Sequence, residues 1–288
     1  MGGQITEIDA VNKVMEIDPP KKADKETPEN DLSSKQSANT LFNFTKKFEW
    51  LTGILERKAF SPRYNDENIE VYGLGDEKTI CFPMTCFCDI HLKRLNPHME
   101  KYGKFGIGLE KDWGIQSGVQ PIQYININSP LHKGFAEIFT KSLRNTSEDD
   151  DILIEHQNFL LTNLLYLKPL EGLMRLSNED EDFSKHNFHD EREWRYIPDL
   201  SMQEDLTLLI PADHMSPQAR LSYSDAIGEN PEFWLDFKYR DIKHLIVKDE
   251  QYRELLIHFI IDKLDIDSFE KMLLVSKIIV WENIVKDW

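Results

Sequence analysis

Short strand patterns and amphipathic helix patterns follow one another from about residue 40 onward without a regular strand–helix–strand rhythm. A doubly wound parallel sheet needs that rhythm. Its absence points to an α+β fold, with mixed or antiparallel sheets and packed helices. LFNFT (41–45) reads as a strand, and FEWLTGILERKAF carries apolar residues at helical spacing until Pro62. TICFPMTCFCDI (79–90) reads as a buried strand, KFGIGLE (104–110) as a glycine-bearing one, and VQPIQYININ (119–128) as an alternating one. A helix is expected over about 131–144. DILIEHQNFLLTNLLYLKPL (151–170) reads as the strongest helix, ringed by leucines and therefore central. Strands are expected at 192–199, 205–211 and 241–248, and an amphipathic helix at 250–264. The stretches 62–77, 177–191 and 212–230 read as loops, the last of them mobile.

Residues 1–38 read as a disordered acidic tail and 39–288 as a single domain. The tail carries interspersed charge, Pro19-Pro20 and few large apolar groups, too little to offset its ordering entropy. A short helix over residues 8–17 is the one element expected in it. Gly2 and Thr6 fit the N-myristoylation pattern, but that pattern is short and needs a eukaryotic enzyme.

The chain of 288 residues holds 34 Lys and Arg against 51 Asp and Glu, a net charge of −17. Such a balance argues against nonspecific coating of a nucleic-acid backbone. Nucleic acid then enters only as a target of modification. No run approaches the roughly 18 apolar residues of a membrane span, and the start has no apolar leader segment. Three clustered cysteines, Cys81, Cys86 and Cys88, are no disulfide framework, so a reducing cytoplasm is the default expectation. Their spacing suits core packing better than zinc, and no metal site is expected. GKFGIGLE is not a dinucleotide fingerprint; its glycines suit a strand packed closely on a neighbour, or else a cleft wall. HExxH, GxSxG and P-loop motifs are absent.

DEREWRYIP (190–198) is the most informative segment. In a strand, Glu191, Glu193 and Arg195 share one face, and Trp194 and Tyr196 the other. Charges on such a face must meet water, a cleft or each other, because burial without pairing is costly. Either a structural ion-pair strand or a carboxylate held in a cleft by arginine satisfies that demand.

The blocks LFNFTKKFEWLTGIL, FSPRYNDEN, FPMTCFCDI, HMEKYGKFGIGLEKDWGI, GVQPIQY, DEREWRYIP and DIKHLIV resemble, in that order, the AbiGi family of bacterial proteins. They span roughly residues 40–285. That resemblance implies a role in phage-triggered growth arrest (abortive infection), in a two-gene system where this partner carries the label of antitoxin. A cognate toxin would then be its partner. The opening strand and the L-x2-IL helix are also similar to the start of ADP-ribosyltransferase folds. This likeness implies a split-sheet core, NAD as substrate and a late-strand catalytic glutamate. Carried over, that glutamate is Glu193, with Glu191 beside it and Arg195 orienting it or gripping a phosphate. Asn43 and Thr45 would meet the ribose, and Arg63, Tyr64 and Tyr102 would form the rim. Asn43 stands where a histidine is expected and brings no positive charge, which also suits a binding-only descendant. The non-enzymatic alternative is an antitoxin that docks a basic toxin through its acidic surface, including the loop at 177–191. The surroundings of Glu193 separate the two.

Overall fold

The computed structural model describes residues 38–144, 151–174, 184–201, 203 and 205–286. The tail, its candidate helix, Gly2 and Thr6 lie outside them, as does much of the acidic loop at 177–191. The described residues belong to one compact unit, Ser37–Trp288. Its class is α+β.

Strand β1 (Thr40–Thr45) leads into helix α1 (Phe48–Arg57), then β2 (Ala59–Phe60), β3 (Arg63–Asn68) and the long β4 (Thr79–Cys88). A short helix α2 (Asn96–Tyr102), with Pro97 in its first turn, precedes β5 (Phe105–Glu110). Helix α3 (Lys111–Gln116), β6 (Gln120–Pro121) and β7 (Gln123–Ile125) follow. Two longer helices, α4 (Pro130–Arg144) and α5 (Asp151–Leu165), lead to β8 (Leu167–Pro169), β9 (Glu171–Met174) and β10 (Ser184–Asn187). A 3-10 turn (Phe188–Glu191) then delivers β11 (Glu193–Tyr196). Next come β12 (Ile210–Pro211), α6 (Pro217–Gly228), β13 (Leu235–Asp236) and β14 (Ile242–Val247). The chain ends in α7 (Glu250–Lys263), α8 (Ser268–Ser276), β15 (Ile278–Val280) and α9 (Trp281–Lys286).

The main sheet runs β15-β14-β5-β1-β4-β11-β6, with β3 and β12 also paired to β4. It is antiparallel except for the β14–β15 pair. Alternation sends Leu41 into one apolar cluster, with Leu55, Ile107, Leu245 and Leu256, and its neighbour Phe42 into another, with Cys88, Met99 and Ile246. Helices α1 and α7 cover the first face. A third cluster joins Phe82 and Ile80 to Phe139 of α4 and Leu164 of α5.

The glycines of β5 work as close-packing positions. A methyl group on Gly106 would lie 2.5 Å from the Phe44 ring, and one on Gly108 2.7 Å from Phe42. Paired as Phe44↔Gly106 and Phe42↔Gly108, the rings fill the space that side chains would take.

Five expectations need correction. Residues 62–77 are not all loop, since β3 pairs with β4 over six residue pairs. Its sequence RYNDEN hides the strand because Tyr64 is its one large apolar side chain, while Asp66 meets Arg220 and Glu67 meets Arg195. The stretch 212–230 contains α6, capped by Ser216, whose Oγ accepts from the Ala219 N–H, with Pro217 opening the first turn. Helix α5 is peripheral: Ile152 and Phe159 are 65% and 67% exposed, while Leu160, Leu164 and Leu165 face inward. The leucines crowd its C-terminal half, which alone reaches the core. The patterns at 192–199 and 205–211 also shrink, to Glu193–Tyr196 and Ile210–Pro211.

Candidate functional site

Strand β11 pairs with β4 as Glu193↔Cys88 and Arg195↔Cys86. Its aromatic face, Trp194 and Tyr196, packs against the main core. Its charged face is more deeply buried: Arg195 is 0% exposed and Glu193 7%. Burying charges this far requires partners on every side. The Arg195 Nε donates to Glu193 Oε1 at 2.6 Å, Nη1 to the Leu165 carbonyl at 2.7 Å, and Nη2 to Glu67 Oε1 at 2.8 Å. The Phe82 ring lies 5.8 Å from the guanidinium. Lys168, on β8, donates to Glu193 Oε2 at 2.9 Å and Glu191 Oε2 at 3.3 Å.

Glu191 belongs to the 3-10 turn rather than to the strand, because Arg192 adopts a left-handed backbone (φ 45°) between them. Its carboxylate still reaches the same lysine. Its Oε1 also accepts from the Tyr102 hydroxyl at 2.5 Å and lies 2.9 Å from Nε2 of His186. Lys101 Nζ stands 2.7 Å from His186 Nδ1. An ammonium only donates, so Nδ1 accepts, and Nε2 carries the proton given to Glu191. The Glu193 backbone N–H donates to the Tyr124 hydroxyl at 2.8 Å.

The network joins four regions of the fold: β3, the end of α5 with β8, the β9–β10 hairpin, and α2. Electrostatics follow from burial and pairing. Arg195 and Lys168 outweigh desolvation and hold the Glu193 carboxyl far below the usual range. Glu191 is also lowered, by Lys168 and by the Tyr102 hydrogen bond against the cost of burial. Burial lowers His98 to about 4. Burial, with Glu191 adding to it, raises Tyr102.

Of the residues singled out from the sequence, the structure brings together Glu191, Glu193, Arg195 and Tyr102. Asn43 and Thr45 are not brought to them. Phe42 lies opposite Cys88, in line with Glu193, so alternation puts Asn43 and Thr45 on the other face of the sheet. Asn43 Nδ2 donates to the Cys86 carbonyl at 2.9 Å, and Thr45 Oγ1 to the Lys47 carbonyl at 3.1 Å. Tyr64 is buried away from the network, its hydroxyl donating to the Thr207 carbonyl at 2.7 Å, and Arg63 is exposed on β3. Sequence reasoning missed Glu67, Lys168 and His186. Lys168 carried a signal, a lone cation inside the apolar run LLYLKPL; Glu67 carried none.

Beside the network opens a cleft of about 320 Å³, lined in part by Arg94, His98, Lys101, Tyr102, His186 and Glu191. Glu193 does not line it. The three cysteines are free, with Cys81 and Cys88 buried in apolar clusters; burial raises the Cys81 thiol to about 12.

Fold and site together define an α+β protein built round a sealed polar centre, with a small open cleft against it. The chain belongs to the AbiGi family: the match to "Putative abortive phage resistance protein AbiGi, antitoxin" covers residues 58–248. It is 38% identical over 248 residues to the abortive phage resistance protein AbiGi of Lactococcus lactis subsp. cremoris, covering 80% of this chain and 100% of that one. No solved structure matches. Among the described residues no helix is long and apolar enough to cross a membrane.

Proposed function

We propose that this protein works as the antitoxin-type component of an abortive-infection system, binding and neutralising a basic toxin protein rather than cleaving NAD. The observation that carries this reading is the state of Glu193. Both its carboxylate oxygens are held, by Arg195 at 2.6 Å and Lys168 at 2.9 Å, and it is 7% exposed. A carboxylate that stabilises an oxocarbenium-like ribose has to face that ribose. Here the facing positions are already taken. The net charge of −17 supports a cationic partner, since opposite fields steer association and suppress wrong partners.

One observation favours a second reading, an NAD-cleaving enzyme: Glu191 and Tyr102 line the cleft. One experiment separates the two. The full chain is co-produced with the toxin of its two-gene system, growth is scored, and the complex is followed by gel filtration at low and high salt. The antitoxin reading expects restored growth, a complex that weakens as salt rises, and no NAD consumption by the purified chain. NAD turnover that is lost in Glu191→Gln, with no complex at either salt, would overturn it.

A further inference from the structure

Helix α8 turns an apolar face to solvent. Phe269, Met272 and Leu273 stand three and four residues apart, on one side of the helix, and are 63%, 63% and 42% exposed. Leu274, on the side turned inward, belongs to the main core, and Val275 packs against that core. The helix is therefore apolar on both sides, a pattern that suits an element covered from outside as well as from within. Single exposed apolar residues are ordinary, but three adjacent ones form the contiguous kind of patch that marks an interaction site. On α5, by contrast, Ile152 and Phe159 stand two turns apart, with Glu155 and His156 between them.

The charge beside the patch says what covers it. Asp265 and Asp267 lie in the connection from α7, and Glu270 in the first turn of α8. None of the three forms an ion pair among the described residues. Asp267 caps the helix, accepting from the Phe269 and Glu270 backbone N–H groups at 2.8 and 3.0 Å. Lys271, the one cation of this helix, donates to the Ile261 carbonyl at 2.7 Å. An apolar centre with a charged rim is the anatomy of a protein interface, and carboxylates on the rim call for cations opposite. A second copy of this chain would bring a net charge of −17 against −17 and is repelled.

We propose that the Phe269–Met272–Leu273 face of α8 is the docking surface for the basic toxin. The three side chains enter an apolar groove of the toxin, and Asp265, Asp267 and Glu270 meet lysines or arginines along its edge. The inference rests on the antitoxin reading and adds where on this chain the toxin sits.

The test titrates the full chain and its variants with the purified toxin of its two-gene system. Phe269→Ser and Met272→Gln should each weaken binding by about 30-fold or more, the loss expected on truncating a central anchor. Both should melt like the parent, since the side chains they change are exposed. Phe159→Ser, at an equally exposed position on α5, should leave the affinity unchanged. Asp265→Lys should slow association and reduce its dependence on salt. Toxin binding by the parent with unchanged affinity in both α8 variants would overturn this surface and leave the antitoxin reading standing. No binding by the parent would remove that reading, and this surface with it. A dimer of the chain alone that Phe269→Ser abolishes would make a second copy the occupant, and would also overturn the proposal.

Discussion

Arg195 donates from Nε to Oε1 of Glu193, two residues back on the same strand, at 2.6 Å, with its own side chain wholly out of solvent. Side chains two apart on a strand point the same way, so the pair forms without bending the backbone. What makes it tolerable is the company it keeps: Lys168 on the other carboxylate oxygen, and Glu67 on the other end of the guanidinium. Removing one member strands the others in a poorly polarisable interior.

The first prediction follows directly. Glu193→Gln keeps the shape and removes the charge that Arg195 and Lys168 share. It should destabilise by about 3–5 kcal/mol, the cost of breaking a buried pair. At roughly 2–4 °C per kcal/mol for a domain of this size, the melting temperature should fall by about 6–20 °C. A melt within 2 °C of the parent would mean the pair is not what holds this region together.

Acid should weaken the fold in two stages. His98 is held neutral by burial, titrating at about 4 instead of 6.5, against Phe44 and Tyr102 and despite nearby Glu191 and Glu193. The unfolded chain therefore takes up a proton first, so stability present above pH 6.5 drains away as pH falls towards 4. The full effect is on the order of 3 kcal/mol. Glu193 and Glu191 have lowered values too, so their contribution is present above about 4.5 and is lost only below it. Urea unfolding at pH 7.5 and pH 5 should show a fall, and His98→Phe should reduce it, His244, also lowered by burial, keeping part of the slope. An unchanged slope in that variant would remove His98 as the cause.

The position of α5 makes a contrast between two of its residues. Phe159, 67% exposed, should tolerate Ser within about 0.5 kcal/mol. Leu164, 3% exposed and packed against the third cluster, should cost about 2–5 kcal/mol when cut to Ala. Equal losses at both sites, measured by chemical denaturation, would contradict the peripheral placement of this helix.

Thiol chemistry offers a further check. Cys81 and Cys88 are buried, and burial raises both thiols. The native protein should therefore react with at most one equivalent of an aromatic disulfide reagent at pH 8, and with three after denaturation. Rapid labelling of two or three thiols in the native state would show that β4 opens readily.

Much of the fold was legible where one local pattern dominated. The strand at Ile242–Val247 and the helix at Glu250–Lys263 stand within a residue or two of their expected bounds, because four apolar residues among six and an Asp249 cap are local signals. Strand β3 was not legible, since its residues are polar and its pairing partner supplies the apolar cover. Helix α6 had a local signal after all, Ser216-Pro217, but weak amphipathicity hid it among polar neighbours.

The sequence by itself determined that Glu193 and Arg195 would have to be paired or solvated, because a two-residue period and the cost of a bare buried charge leave no third choice. It also determined the α+β class, through the irregular order of strand and helix patterns. Only the tertiary structure decided which of the two fates the charges met. Glu67 lies 128 residues from Arg195 in the chain, and Lys168 lies 25 from Glu193. No periodicity links positions so far apart. They meet because β3 pairs with β4 in the sheet that also carries β11, while β8 packs its Leu167 against Ile80 and Phe82 of β4; the energy of a salt bridge depends on distance in space, which a linear pattern does not record.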